Sequence, residues 1–134
     1  MKAKVKAFSF FAFCLWFQVG WSQLVVQSNY TSQQLVDSVL LGPGVMAFNI
    51  TYTGSPQSIG FFNGVNSNIG LDSGIILSSG KIITAIGPNN NSSAGDAMLT
   101  PGDSILTVMA GLPTKDAAIL EFDFIPSSDT IYFN

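Results

Sequence analysis

Two carboxylates, Glu121 and Asp123, stand two residues apart in the run Ala118-Ile119-Leu120-Glu121-Phe122-Asp123-Phe124-Ile125. Alternation along a strand puts them on one face, roughly 6.6–6.8 Å apart, with Leu120, Phe122 and Phe124 on the other. Carboxylates near that separation hydrolyse glycosides, one as acid and the other as base. A half-buried strand needs a polar face in any case, and no aromatic sugar platform lies nearby in sequence, so a solvated strand face is the simpler account. A second oxygen-rich stretch, Asn89-Asn90-Asn91 with Asp96, offers the ligand type that calcium takes. It has one carboxylate and lacks the D-x-[DN]-x-[DN]-G spacing, which marks it as a connecting loop. Ser78-Ser79-Gly80-Lys81 lacks the first glycine of a phosphate loop and the hydroxyl residue after its lysine. Asn29-Tyr30-Thr31, Asn49-Ile50-Thr51 and Asn91-Ser92-Ser93 are N-glycosylation acceptors in a host that uses them. Asn49 falls on a strand, where ordinary polar alternation accounts for it.

What is missing narrows the chemistry further. The 134 residues include no His and no Arg. That excludes a Ser-His-Asp or Cys-His relay and an imidazole metal site, and it leaves no side chain that titrates near neutrality in its ordinary state. A net charge of −3 without arginine is also wrong for gripping phosphate backbones, so nucleic acid is not an expected partner. No cofactor, metal ligand set or catalytic residue is assigned.

The N-terminus differs from the rest. Lys2, Lys4 and Lys6 precede an apolar run from Ala7 to Val19, and Gly20-Trp21-Ser22 follows, which is the order of a secretory signal peptide. The run falls short of the ~20 residues that span a bilayer. Cleavage is expected between Ser22 and Gln23, leaving no stable membrane span and making the secretion machinery the first partner. Bulky Phe13 before Cys14 argues against a lipoprotein signal. Residues 23–134 then carry two lysines against eight acids, a net charge of −6, with neither Cys nor Trp. Without disulfides, stability must come from a packed core, a bound ion or more chain.

The elements that carry these residues are short. Residues 24–28 form a lead-in strand. Thr31-Ser32-Gln33-Gln34 has the capping-box pattern and opens a helix at about 32–41, which Gly42-Pro43 ends. Met46, Phe48, Ile50 and Tyr52 alternate as the buried face of a strand beginning at Val45. Further strands are expected over 58–62 and 74–78, with Ser79-Gly80 as a tight hairpin turn into a strand over 81–86, the whole forming a meander. A polar connection runs from Gly87 to Gly102. Asp103 caps a helix over 104–110 carrying Ile105, Leu106, Val108 and Met109, a stretch that also reads acceptably as strand. Residues 118–125 are the clearest strand, and the pattern resumes with Ile131 and Phe133. The fold class is mostly β, an antiparallel sandwich-like domain with one or two short helices. Its stop at Asn134, inside a strand pattern, is read as a domain incomplete at its C-terminus.

Taken in order, Thr31-Ser32-Gln33-Gln34-Leu35-Val36, Gly60-Phe61-Phe62, Gly74-Ile75-Ile76-Leu77-Ser78-Ser79-Gly80, Gly95-Asp96 and Asp116-Ala117-Ala118-Ile119-Leu120-Glu121-Phe122-Asp123-Phe124-Ile125-Pro126 resemble one family. The sequence is similar to the choice-of-anchor L domain of secreted and surface proteins from gliding Bacteroidota-type bacteria, over nearly all of 23–134. The resemblance implies extracellular display, with a signal peptide, this domain, variable repeats and a sorting signal for type IX secretion or another anchor. Family members continue the strand that starts at Thr130 into an acidic stretch, which this chain lacks, so any calcium or ligand site that needs it is not expected here. The family has no catalytic residues to carry over. The expectation is a non-catalytic, adhesive or structural domain of a larger secreted bacterial protein, its partner an extracellular protein or surface glycan. The rivals are a carbohydrate-binding or glycoside-hydrolysing module using Glu121 and Asp123, and a eukaryotic glycoprotein using the three acceptor sites.

Overall fold

The computed structural model describes residues 23–42 and 44–126. The leader expected over 1–22, the stop signal at Pro43 and the strand expected around Ile131 and Phe133 lie outside the described residues. In chain order the elements are β1 (Val25–Gln27), α1 (Ser32–Leu35) running into a π-helical turn (Val36–Leu40), β2 (Val45–Thr53), β3 (Ile59–Asn63), β4 (Ser73–Leu77), a 3₁₀ helix (Ile82–Ile86), α2 (Ser104–Ala110) and β5 (Ile119–Pro126). They make two antiparallel sheets, one ordered β1-β3-β4 and the other β2-β5, which is the mostly β class that the strand spacing predicts.

The capping box at Thr31 forms as its pattern requires. The Gln34 amide donates to Thr31 Oγ1 at 3.2 Å and the Thr31 amide donates to Gln34 Oε1 at 2.9 Å. Both bonds use groups that would otherwise lack an intrahelical partner. The start is fixed so that Leu35 and Val36 point inward, and both are 0% exposed. Burial of each is worth about 1.5–3 kcal/mol. The widened turn after Leu35 closes with the Leu41 amide on the Val36 carbonyl at 3.0 Å. This helical segment packs against both β2 and β4, so it ties the two sheets together.

Beside it, Val26, Phe62 and Ile82 form a small core, with Leu24, Ile76 and Ile86 packed around it. Gly60 is what lets these elements meet: a Cβ there would collide with the Gln27 carbonyl oxygen and with Ile82 Cδ1. β1 and the 3₁₀ helix can therefore both lie against β3.

Two expectations about connectivity fail. The first concerns the hairpin at Ser79-Gly80. Gly80 does not take a positive φ, and residues 82–86 are a 3₁₀ helix, not a strand. After β4 the backbone bonds to the turn before β3: the Ser78 amide donates to the Ser58 carbonyl at 3.0 Å and the Ile82 amide to the Gln57 carbonyl at 3.0 Å. Those bonds, with the gap above Gly60, draw Ile82 into the core and override the strand preference of the Ile-Ile-Thr-Ala-Ile run. The second concerns the meander. β2 does not pair with β3, which joins β1 and β4; it pairs with β5. Gly54 turns the chain out of the ribbon at φ +146°, a conformation open to glycine, while Tyr52 Oη donates to the Ser55 carbonyl at 2.9 Å and holds the corner.

Candidate functional site

The β2-β5 ribbon carries the two carboxylates, and its register decides what surrounds them. Val45 to Phe48 pair with Pro126 to Asp123, then the register slips by one residue, so that Thr51 faces Glu121 and Tyr52 faces Leu120. Asn49 and Ile50 thus oppose Phe122 alone, which is a β-bulge. Asn49 has φ +54°, and its Nδ2 donates to Asp123 Oδ2 at 2.7 Å. Asparagine is among the few side-chain-bearing residues that enter the left-handed region readily.

The bulge corrects two readings. Asn49 is not an ordinary alternating residue; it is the bulge residue that bonds to Asp123. Met46 and Phe48 do not share the inward face with Ile50 and Tyr52, because an extra residue in one strand exchanges the faces beyond it. Val45, Ala47, Ile50 and Tyr52 are the half-buried residues of β2, lying with Leu120 and Phe122. Met46 and Phe48 are 66% and 44% exposed and share the outer face with Glu121, Asp123 and Ile125. Alternation along β5 itself is as expected, with Glu121 and Asp123 on one face and the rings of Phe122 and Phe124 on the other, tilted at 50° with their centroids 6.3 Å apart. The structure also supplies what the local sequence lacked: Phe48, 75 positions before Asp123, stands directly across from it. The result is an open, exposed face with an apolar half, Met46, Phe48 and Ile125, and an acidic half, Asp123 and Glu121.

The other candidates are occupied by structural bonds. Asp96 pairs with Lys81 Nζ at 3.0 Å, which, with the Gly80–Ala97 bridge, fastens the long connection to the end of β4. Asn89 Oδ1 accepts from the Asn91 amide at 3.1 Å and Asn91 Oδ1 from the Ser93 amide at 3.0 Å. These are turn-forming bonds, so the asparagines serve their own backbone and are not gathered around an ion. Among the described residues no group of three acids or cysteines is placed to hold a metal. In Ser78-Ser79-Gly80-Lys81, Ser78 Oγ accepts from the Gly80 amide at 3.0 Å, and buried Ser58 Oγ donates to the Gly80 carbonyl at 3.0 Å. That hydroxyl pair closes the end of the sheet. The acceptor asparagines Asn29, Asn49 and Asn91 are all exposed.

One polar side chain that sequence reasoning passed over proves central. Asp116, 8% exposed and at φ +55°, accepts from the Thr100 amide at 2.7 Å and from Thr100 Oγ1 at 3.3 Å. The Asp116 amide returns a bond to the Thr100 carbonyl at 3.0 Å. Asp116 therefore clamps the end of the long connection to the start of β5. Nothing in its local pattern separates it from a surface loop acid. Next to it lies a cavity of about 360 Å³ lined by Leu77, Leu106, Ala117 and Ala118 together with Ser78 and Thr114.

Across residues 24–134 the sequence matches the family model described as the choice-of-anchor L domain. The chain belongs to the choice-of-anchor L domain family. No curated protein and no solved structure matches it. In this choice-of-anchor L domain the residues that carried the resemblance have structural work. Gly74 leaves room for the Phe62 ring, which a Cβ would meet at 2.9 Å. Ser78 and Gly80 knot the end of β4, Asp116 holds the connection, and Leu120 and Phe122 line the inner ribbon face. Membership points to an extracellular or surface protein with an anchoring role, in a family not known for catalysis. No helix among the described residues is long and apolar enough to cross a membrane.

Proposed function

We propose that this choice-of-anchor L domain is a non-catalytic module displayed outside the cell, with an adhesive or structural role in a larger secreted protein of gliding Bacteroidota-type bacteria. In this reading residues 1–22 are a leader removed after Ser22, and type IX secretion delivers the product. The family match over 24–134 carries the proposal. The fate of the polar side chains supports it: Ser58, Ser78, Asp96 and Asp116 all close loops or sheet ends. The test is protease shaving and N-terminal sequencing on intact cells of a gliding bacterium expressing the tagged chain. Surface-exposed product beginning at Gln23, lost from the surface in a strain without type IX secretion, is the expected result. Cytoplasmic product that keeps Met1 would overturn the proposal.

A second reading rests on the ribbon. Phe48 opposite Asp123, with Asn49 and Glu121 beside them, puts an aromatic face next to hydrogen-bonding groups on open surface, the combination by which a sugar is held. The face is open and Asp123 is already engaged by Asn49 Nδ2, an arrangement that suits glycan contact better than turnover. Glycan-array binding that Phe48→Ala removes would favour this reading. Binding unchanged by Phe48→Ala, or no binding at all, would reject it.

A further inference from the structure

Asn63 is followed by Gly64, and Asn66 and Asn91 are each followed by serine. An asparagine before a small residue is chemically unstable, because the next backbone nitrogen can reach and attack its side-chain carbonyl carbon. Glycine crowds that attack least, so the unfolded chain is weakest at Asn63. The fold cannot dispense with this glycine: Gly64 is buried, and a Cβ on it would collide with the Leu71 carbonyl oxygen and Ile69 Cδ1. Instead it occupies the attacking group. The Gly64 amide donates to the Asp72 carbonyl at 2.8 Å, which extends the β3-β4 ladder past the Asn63–Ser73 pair. The Ser67 amide, which would attack Asn66, donates to the Gly64 carbonyl at 2.8 Å.

Asn91 is the exception. Its Oδ1 accepts from the Ser93 amide at 3.0 Å and its backbone carbonyl from the Ala94 amide at 3.0 Å, while among the described residues nothing accepts from the Ser92 amide. Asn91 and Ser92 are both exposed. The side chains of Asn63 and Asn91 are otherwise set alike, since Asn63 Oδ1 accepts from the Val65 amide at 3.1 Å. At each, an N–H rests on the oxygen that gains charge when the carbon is attacked. The two sites differ in the nucleophile, held at one and open at the other.

We propose that Asn91 is the site at which the folded chain deamidates, so that folding reverses the order set by the sequence alone. The Ser92 nitrogen loses its proton to hydroxide and bonds to Asn91 Cγ, the Cγ–Nδ2 bond breaks, and ammonia leaves with a proton returned from water. Water then opens the succinimide to aspartate or isoaspartate. One water is consumed and one ammonia released, and nothing is oxidised. Either product adds a negative charge to the long connection and removes the amide that glycosylation at Asn91 needs. Isoaspartate also puts an extra methylene into the backbone of the turn.

The test is peptide-mass mapping of the full chain after incubation at mildly alkaline pH, folded in buffer and unfolded in urea, with Ser92→Gly alongside. In urea Asn63 should convert first. In the folded chain Asn91 should lead, with Asn63 slowed at least about 10-fold, the factor for a local opening of ~1.4 kcal/mol. Asn91 should keep its urea rate to within about 3-fold, as a turn that opens at almost no cost would. Ser92→Gly should speed conversion at Asn91 several-fold and leave Asn63 unchanged. A folded chain that converts at Asn63 or Asn66 ahead of Asn91 would overturn the proposal. So would an Asn63 rate that is equal in both states, an Asn91 that stays intact in the folded chain, or no gain in rate from Ser92→Gly.

Discussion

Replacing Asp116 separates two roles that a single side chain combines. Its carboxylate accepts two bonds from Thr100, the shorter at 2.7 Å, and its backbone sits at φ +55°. Asp116→Ala loses a charge-assisted bond worth about 1.5–3 kcal/mol and places a residue poorly suited to the left-handed region, at a further ~1 kcal/mol. The expected cost is about 3 kcal/mol, or a Tm lower by about 12 °C for a domain of this size. Asp116→Asn keeps an acceptor oxygen and the conformational tolerance, and should cost no more than about 1 kcal/mol. Asp116→Gly relieves the backbone without restoring the bond, so the order of stability is wild type, Asn, Gly, Ala. Differential scanning calorimetry gives the Tm series. Hydrogen exchange of the Thr100 amide reports the bond itself, with protection kept in Asn and lost in Gly and Ala. An Asn variant as unstable as Ala would show that the negative charge, not the bond geometry, holds the connection. An Ala variant with wild-type Tm and full Thr100 protection would refute the clamp altogether.

Gly60→Ala should cost about 3 kcal/mol by forcing the Gln27 carbonyl and Ile82 away from β3, read as a lower denaturant midpoint at unchanged slope. Burial pushes the Tyr52 phenol above its ordinary pKa, so the folded state holds this proton more tightly than the unfolded state. Its share of stability is therefore intact below about pH 10 and lost as pH rises through the folded value; Tyr52→Phe should remove that share of the alkaline decline and cost about 1 kcal/mol at neutral pH, both visible in urea titrations from pH 7 to 11. At the bulge, Asn49→Gly should be nearly neutral and Asn49→Val should cost about 1–2 kcal/mol, since a β-branched residue resists φ +54°; equal Tm values for the two would refute the bulge conformation.

How much of this was legible depended on how far apart the interacting residues lie in sequence. The capping box at Thr31, the Asp103 cap on α2 and the alternation of β5 are set by residues within a few positions of one another, and they form as read. The Asn49 bulge is a property of two strands, invisible in either alone. It moved Met46 and Phe48 to the outer face and so created the aromatic and acidic surface that local inspection missed. The 3₁₀ helix at Ile82–Ile86 likewise depends on a gap above Gly60, 22 positions earlier. For α2 the spacing of apolar residues gave the helix but not its direction, because Thr107 and Thr114 hold it by the opposite side.

The pairing of β2 with β5 also sets an order of events in the making of the molecule. The sheet β1-β3-β4 and the helical segment that packs on β4 come from residues 25–77, and these can come together early. β2 lies inside that stretch, yet 65 residues separate its end at Thr53 from the start of its strand partner at Ile119. Pairings that distant close slowly, since the intervening loop must be ordered before any contact rewards it. While the chain is being synthesised, β2 is extended, apolar and without its partner until Ile119 and the residues after it have been made. That interval is when a chaperone has something to hold, and it keeps this half of the domain unfinished until β5 has emerged.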